Sequence, residues 1–249
     1  MSTTIAGVDI GAHEPCRFIA EISNNHNGSL VQALQLLDAA KEAGADFAKL
    51  QSYTPEELVA LRGDGPAPEP WGAQGYSMHR LYEIAQTPHG WFPALFKHAR
   101  SIDLPLFSSV FGLESLALCE WLGCPAYKIA RLDNHHGWLY DACAATGKPV
   151  IVSANDEIVL GDLHLWCPPG YPQPALGLER DRFDEYDGFS YHGTDPLAGV
   201  MAAALGAQVV EAHLQLRDIP SVLEHNISLN EYGFASMVNR TRRIEAMRA

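Results

Sequence analysis

The chain has 249 residues, 47% of them apolar and 19% charged, with a formal net charge of −13. That length suits one barrel or two small domains with ample core material, and the charge excludes nucleic acid and anionic membrane surfaces as general partners. No apolar run reaches the ~18–20 residues that cross a bilayer, the start Met1-Ser-Thr-Thr-Ile has no signal-peptide character, and five scattered cysteines without a CxxC predict reduced, buried thiols in a cytoplasmic protein.

Short apolar runs alternate with helical patterns along the chain. Arg17–Ser23 reads as a strand. Ser29 then fits an N-cap, Leu30, Ala33, Leu34 and Leu37 recur at helical spacing, and Gly44 fits the position after the helix. Phe47–Gln51 is a second strand. Thr54–Gly75, rich in Pro and Gly with little periodicity, reads as a long loop of the kind that is often functional. Helical stretches follow around Met78–Gln86 and Gly90–Ser101. Strand Pro105–Ser109, helix Leu113–Leu122, strand Ala126–Ala130, helix Trp138–Thr146 and strand Pro149–Ser153 come next. Asp162–Cys167, Gly188–His192 and Gln208–Leu214 make a sixth, seventh and eighth strand, and a helix runs from about Asn230 to Met247. Eight strands alternating with helices predict an α/β fold, a (β/α)8 TIM barrel forming one domain over residues 1–249. Only Ala154–Gly161 separates the fifth strand from the sixth, too little for an ordinary crossover, so the fifth helix must be shortened or absent.

A barrel carries its reacting groups at the C-terminal strand ends. Glu21 ends the first run, Lys49 and Gln51 the second, Ser109 the third and Ser153 the fifth; Lys128 lies in the fourth. Ser190 and His192 end the seventh, and Glu211 and His213 the eighth. Alternation places each of the pairs Lys49/Gln51, Ser190/His192 and Glu211/His213 on one face. If these faces point inward, one mouth collects two lysines, two histidines and two glutamates, and such charges must be paired or functional. Two imidazoles suit a divalent cation in an open site, and two ammonium groups suit a phosphate and a carboxylate. The plainer readings stand beside these: most histidines are satisfied surface or core groups, a strand-end lysine often snorkels, and Glu21 also fits a capping or ion-pair role.

The segment FIAEISNNHNGSLVQALQLLDAAKEAGADFAKLQS closely resembles the opening of the sialic acid synthase family, which includes legionaminic and pseudaminic acid synthases. The resemblance continues in order through PLFSSVFGLESLALCEWLGCPAYKIA, GKPVIVSA, CPPGYPQP, GFSYHGTDP, LGAQVVEAHLQL and EHNISLNEYGF. It implies a metal-dependent transferase on a (β/α)8 barrel. That enzyme joins phosphoenolpyruvate to the open-chain aldehyde of an amino sugar, giving a 2-keto acid and phosphate with manganese or magnesium as cofactor. By resemblance His192 and His213 match the metal-binding histidines, and Lys49 and Lys128 match the lysines that hold phosphoenolpyruvate. Ser109 sits where a threonine contacts the phosphate, and Ser153 and Ser190 fall at further pocket positions. Glu21 and Tyr171 match residues that contact the acceptor, where Glu224 replaces an aspartate. Glu21 and Glu211 are both candidates for moving protons.

The sequence also departs from the family. The resemblance covers the barrel alone, without the C-terminal antifreeze-like domain that reaches across family dimers; a homodimer is implied only by the resemblance. Arg131 stands where a small serine is expected, Ala154-Asn155 replaces Thr-Gly, Pro169 replaces an asparagine and Tyr191 an aspartate. Arg131 fits either a guanidinium for a substrate phosphate or carboxylate, or an ion pair with Asp133. The pattern fits retained phosphoenolpyruvate chemistry with a changed second substrate. The alternatives are a non-catalytic barrel that binds a sugar or a partner, and another metal-dependent enzyme acting on sugar acids.

Overall fold

The computed structural model describes residues 2–155, 157, 160–173, 178 and 180–248. Among them, eight parallel strands close into a barrel with helices between them: Arg17–Glu21, Phe47–Ser52, Leu106–Val110, Tyr127–Ile129, Val150–Ala154, Leu163–Trp166, Gly188–Tyr191 and Val209–Gln215. Closure comes from the eighth strand, which pairs with both the seventh and the first. A short extra strand, Ser228–Asn230, runs parallel to the C-terminal end of the eighth, His213–Gln215. The strands are nearly continuous apolar runs because they are covered on both faces, as parallel sheets are.

Local signals set the helix ends. Ser29 accepts from the Gln32 amide at 3.3 Å to start helix Leu30–Glu42. Gly44 closes it with φ 84°, a left-handed conformation that L side chains avoid. The fifth connection carries no helix among its described residues, as its length requires; residues 156, 158 and 159 lie outside them. No helix among the described residues is long and apolar enough to cross a membrane. All five cysteines are buried and free.

Two features depart from the expected elements. An antiparallel hairpin, Thr3–Ile5 with Val8–Ile10, turns at Ala6-Gly7 and buries Ile5 and Ile10 completely. Asp9 O accepts from Arg17 Nε at 2.9 Å, and Thr3 Oγ1 donates to Asp162 O at 3.4 Å. Arg17 opens the first barrel strand and Asp162 precedes the sixth, so the hairpin covers the N-terminal end of the barrel.

The second departure corrects the long loop expected over Thr54–Gly75. Pro55–Arg62 is a helix. Thr54 accepts from the Glu57 amide at 3.1 Å while the Glu57 carboxylate accepts from the Thr54 amide at 3.0 Å, a reciprocal cap, with Pro55 pre-set for the first turn. The apolar periodicity is short, but the cap and Pro55 are sufficient. The same carboxylate accepts from the amides of Glu114 and Ser115, both at 3.1 Å, and from the Ser115 hydroxyl. One side chain therefore caps its own helix and the next, Leu113–Trp121. Glu57→Ala is expected to cost about 2 kcal/mol, since it orphans donors at two helix ends. The exposed neighbour change Glu56→Ala, which loses only an exposed pair with His79, should cost much less; urea denaturation of both variants is the check.

Candidate active site

The parallel register decides which side chains meet at the C-terminal end of the barrel. It sets Glu21 beside Lys49 on one side and His213 on the other, Ser109 beside Lys128, and Ser190 beside Glu211. Every candidate residue drawn from the sequence lines one cavity of about 720 Å³ at this end, a size common for small-molecule sites.

The floor is a paired charge network. Lys49 forms an ion pair with Glu21, reaches Glu211 Oε2 at 3.6 Å and donates to Ser109 Oγ at 2.9 Å. Lys128 donates to Ser153 Oγ at 2.6 Å and reaches Glu211 Oε1 at 3.7 Å. Ser190 Oγ donates to Glu211 Oε1 at 2.9 Å. Both lysines and both glutamates are at most 4% exposed, so their charges are tolerable only because they answer one another.

Burial and pairing set their protonation. Burial opposes ionisation of Glu211, but Lys128 and Lys49 outweigh it and bring its pKa down to about 2. Burial pushes Lys128 below its ordinary value. Burial also works against Lys49, yet the carboxylates of Glu21 and Glu211 carry it upward. Glu21 moves the other way from Glu211: burial raises it despite Lys49. The two floor carboxylates are therefore pushed apart, one held as an acceptor and one nearer to holding a proton.

The imidazoles form the second group. His192 and His213 have ring centroids 5.0 Å apart, and Tyr171 packs against both. His213 Nδ1 pairs with Glu224 Oε2 at 3.0 Å, and the Tyr171 hydroxyl donates to Glu224 Oε1 at 2.7 Å. Burial opposes the charged form of His213, but Glu224 overrides it and raises its pKa. Burial raises Glu224, but the charge of His213 and the hydrogen bonds from His213, Tyr171 and Ser23 together bring it down to about 2. His192 is pulled down to about 3, by burial first and by His213 next, so it stays neutral.

Among the described residues, no group of three or more His, Cys, Asp or Glu side chains is set to hold an ion. The imidazole pair nonetheless fits a two-histidine cation site. Two rings sharing an ion through nitrogens about 2.1 Å away keep their centroids about 5 Å apart. With Nδ1 of His213 engaged by Glu224, Nε2 is the nitrogen that would be left to meet an ion, the usual carboxylate–histidine arrangement.

Arg131 lies beyond the fourth strand and lines the same cavity. The ion pair considered for it with Asp133 is corrected by the structure: Asp133 is held bidentately by Arg62, at 2.9 and 2.6 Å. Asp133 is fully buried and takes the partner whose planar fork reaches both its oxygens. Among the described residues Arg131 has no carboxylate within ion-pair distance.

Gln173 escaped the sequence reading although it lies in the quoted Tyr171-Pro172-Gln173 stretch. Its Oε1 accepts from the His192 amide at 3.0 Å, and its Nε2 donates to Pro168 O and Ser190 O and lies 3.2 Å from His192 Nδ1. It fixes the loop that carries the ring. Glu211→Ala should destabilise the protein by about 3 kcal/mol because it strands two buried ammonium groups, whereas Ser190→Ala, losing one hydrogen bond, should cost about 1 kcal/mol. Thermal denaturation of both variants checks the ratio.

The family model described as NeuB family matches residues 36–156 and 176–249. The pseudaminic acid synthase of Helicobacter pylori is 33% identical over 90% of this chain and 73% of its own length. That of Campylobacter jejuni serotype O:23/36 is 32% identical over 92% and 73%. In structure, the N-acetylneuraminic acid synthetase of Leptospira borgpetersenii, solved with citrate, superposes with a TM-score of 0.84 at 23% identity, over 99% of this chain and 90% of that one, which speaks for the fold. With the model spanning most of the chain and the relatives agreeing, the chain belongs to the NeuB family and is an enzyme of the sialic acid synthase type, a class that forms carbon–carbon bonds.

Proposed function

We propose that this protein condenses phosphoenolpyruvate with a sugar-like aldehyde to give a 2-keto acid and phosphate, with a divalent cation at His192 and His213. The observation that carries the reading is the meeting of two lysines, three carboxylates and two imidazoles in one cavity. Lys49 and Lys128 bind the anionic groups of phosphoenolpyruvate, Ser109 and Ser153 add hydroxyl contacts, and Arg131, which has no carboxylate partner among the described residues, brings a further cation. Tyr171 and Glu224 bound the acceptor side.

Carbon 3 of phosphoenolpyruvate bonds to the aldehyde carbon, water adds at carbon 2, and phosphate leaves. His192 and His213 would hold a cation, which would supply Lewis acidity to a carbonyl oxygen; imidazole ligands favour manganese over magnesium. The aldehyde oxygen gains a proton and the water loses one as it adds, and Glu21, its proton affinity raised by burial, is the group suited to exchange them; the adduct's remaining hydroxyl proton leaves with phosphate as the bond from carbon 2 to the phosphate oxygen breaks and the ketone forms. Glu211 stays ionised and holds the lysines apart and in position. Holding both reactants over one floor removes much of the entropic barrier.

Phosphate release from phosphoenolpyruvate with manganese, scanned across amino-sugar aldehydes, tests the reaction. Sugar binding without any release would favour the non-catalytic barrel. Lys128→Ala is expected to abolish phosphoenolpyruvate binding and Arg131→Ala to weaken it about tenfold; wild-type affinity by calorimetry in both variants would remove the assigned anion site. His213→Ala should lose manganese binding, and Glu224→Gln should weaken it about tenfold by taking the carboxylate from behind the ring. Manganese titration followed by electron paramagnetic resonance reads both, and unchanged affinity in both would end the cation assignment.

A further inference from the structure

Away from the cavity, helix Leu113–Trp121 ends in a turn that brings two cysteines together. Gly123 takes a φ of 74°, its amide donates to Glu120 O at 3.0 Å, and the Cys124 amide donates to Cys119 O, also at 3.0 Å. In this helix ending the residue after the left-handed glycine packs its side chain on the last full turn, usually as an apolar contact. Here both partners of that contact are thiols, and both are fully buried. Hydrogen bonding from Cys124, and from Ser52 and Ser108, draws the Cys119 thiol below its ordinary value against burial, while burial pushes Cys124 well above. Of the two, Cys119 is the readier nucleophile. The cover over the pair is thin: Glu120, Trp121 and Gly123 are exposed, and the last turn of a helix is among the first parts of a fold to open. Cys143, on helix Gly137–Ala144, feels the charge of Cys119 and is the competing partner, but burial pushes its thiol up to about 12.

We propose that Cys119 and Cys124 form a reversible dithiol–disulfide site that small hydroperoxides oxidise. The main-chain hydrogen bond between the two residues keeps their Cα atoms close, as a disulfide requires. The Cys119 sulfur attacks a peroxide oxygen, the O–O bond breaks, and the departing hydroxide takes the Cys119 proton to leave as water, giving a sulfenic acid. The Cys124 sulfur then attacks the Cys119 sulfur, and the sulfenic hydroxyl leaves with the Cys124 proton as a second water. Two thiols are oxidised to a disulfide and the peroxide is reduced to water; a dithiol reductant reverses the change by exchange.

The test exposes the folded protein to hydrogen peroxide, removes the oxidant, unfolds the chain in the presence of iodoacetamide and maps all five cysteines by peptide mass spectrometry. The expected product is a peptide in which Cys119 and Cys124 are joined, two hydrogens lighter and unalkylated. Dithiothreitol added before the iodoacetamide should return both as alkylated thiols. Cys143→Ser should give the same linked peptide as the wild type. Full alkylation of Cys119 and Cys124 after peroxide, a link from Cys119 to Cys143, or oxidation of either thiol that dithiothreitol does not reverse overturns the proposal. The mapping reads the wild-type chain and needs no catalytic turnover, so its outcome is independent of the proposed reaction.

Discussion

Two ammonium groups lie almost wholly out of water at the end of the barrel, and a single carboxylate, Glu211, reaches both. An uncompensated charge there would cost several kcal/mol. The arrangement holds only if the eighth strand sits between the seventh and the first, in the register that sets Glu211 beside Ser190 and His213 beside Glu21. A one-residue slip of that strand would turn both side chains out of the barrel. Barrel closure and site electrostatics are thus one constraint, met by the same residues.

The rim follows a different logic. The stretch after the second strand has little periodicity, yet it is anchored at two points by carboxylate acceptors. Glu57 ties helix Pro55–Arg62 to the amino end of helix Leu113–Trp121, and Asp133 ties the guanidinium of Arg62 to the turn after the fourth strand. These two anchors hold an apolar surface over a charged floor. The contrast of the two surfaces within one cavity gives the NeuB-family site of this chain its particular character.

The strands were legible because parallel barrel strands are apolar without interruption and the helices between them begin and end on recognisable caps, as at Ser29 and Gly44. The floor was legible because several lysines and glutamates end such runs together, although each alone also fits a snorkelling, capping or ion-pair role. What the sequence concealed lies where contacts are long-range. Asp133 is two residues from Arg131 but bonds Arg62, a choice that depends on how a helix and a distant turn approach each other. The helix at Pro55 was available in the Thr54/Glu57 spacing and was masked by the surrounding Pro and Gly. Gln173 acts through backbone contacts, which leave no signature in side-chain patterning.

The hairpin at the opposite end of the barrel bears on kinetics. Ile5 and Ile10 are fully buried at the base, and among the described residues the cavity opens at the other end. In a vessel with a single opening, whatever rests on the bottom has to enter before whatever sits above it.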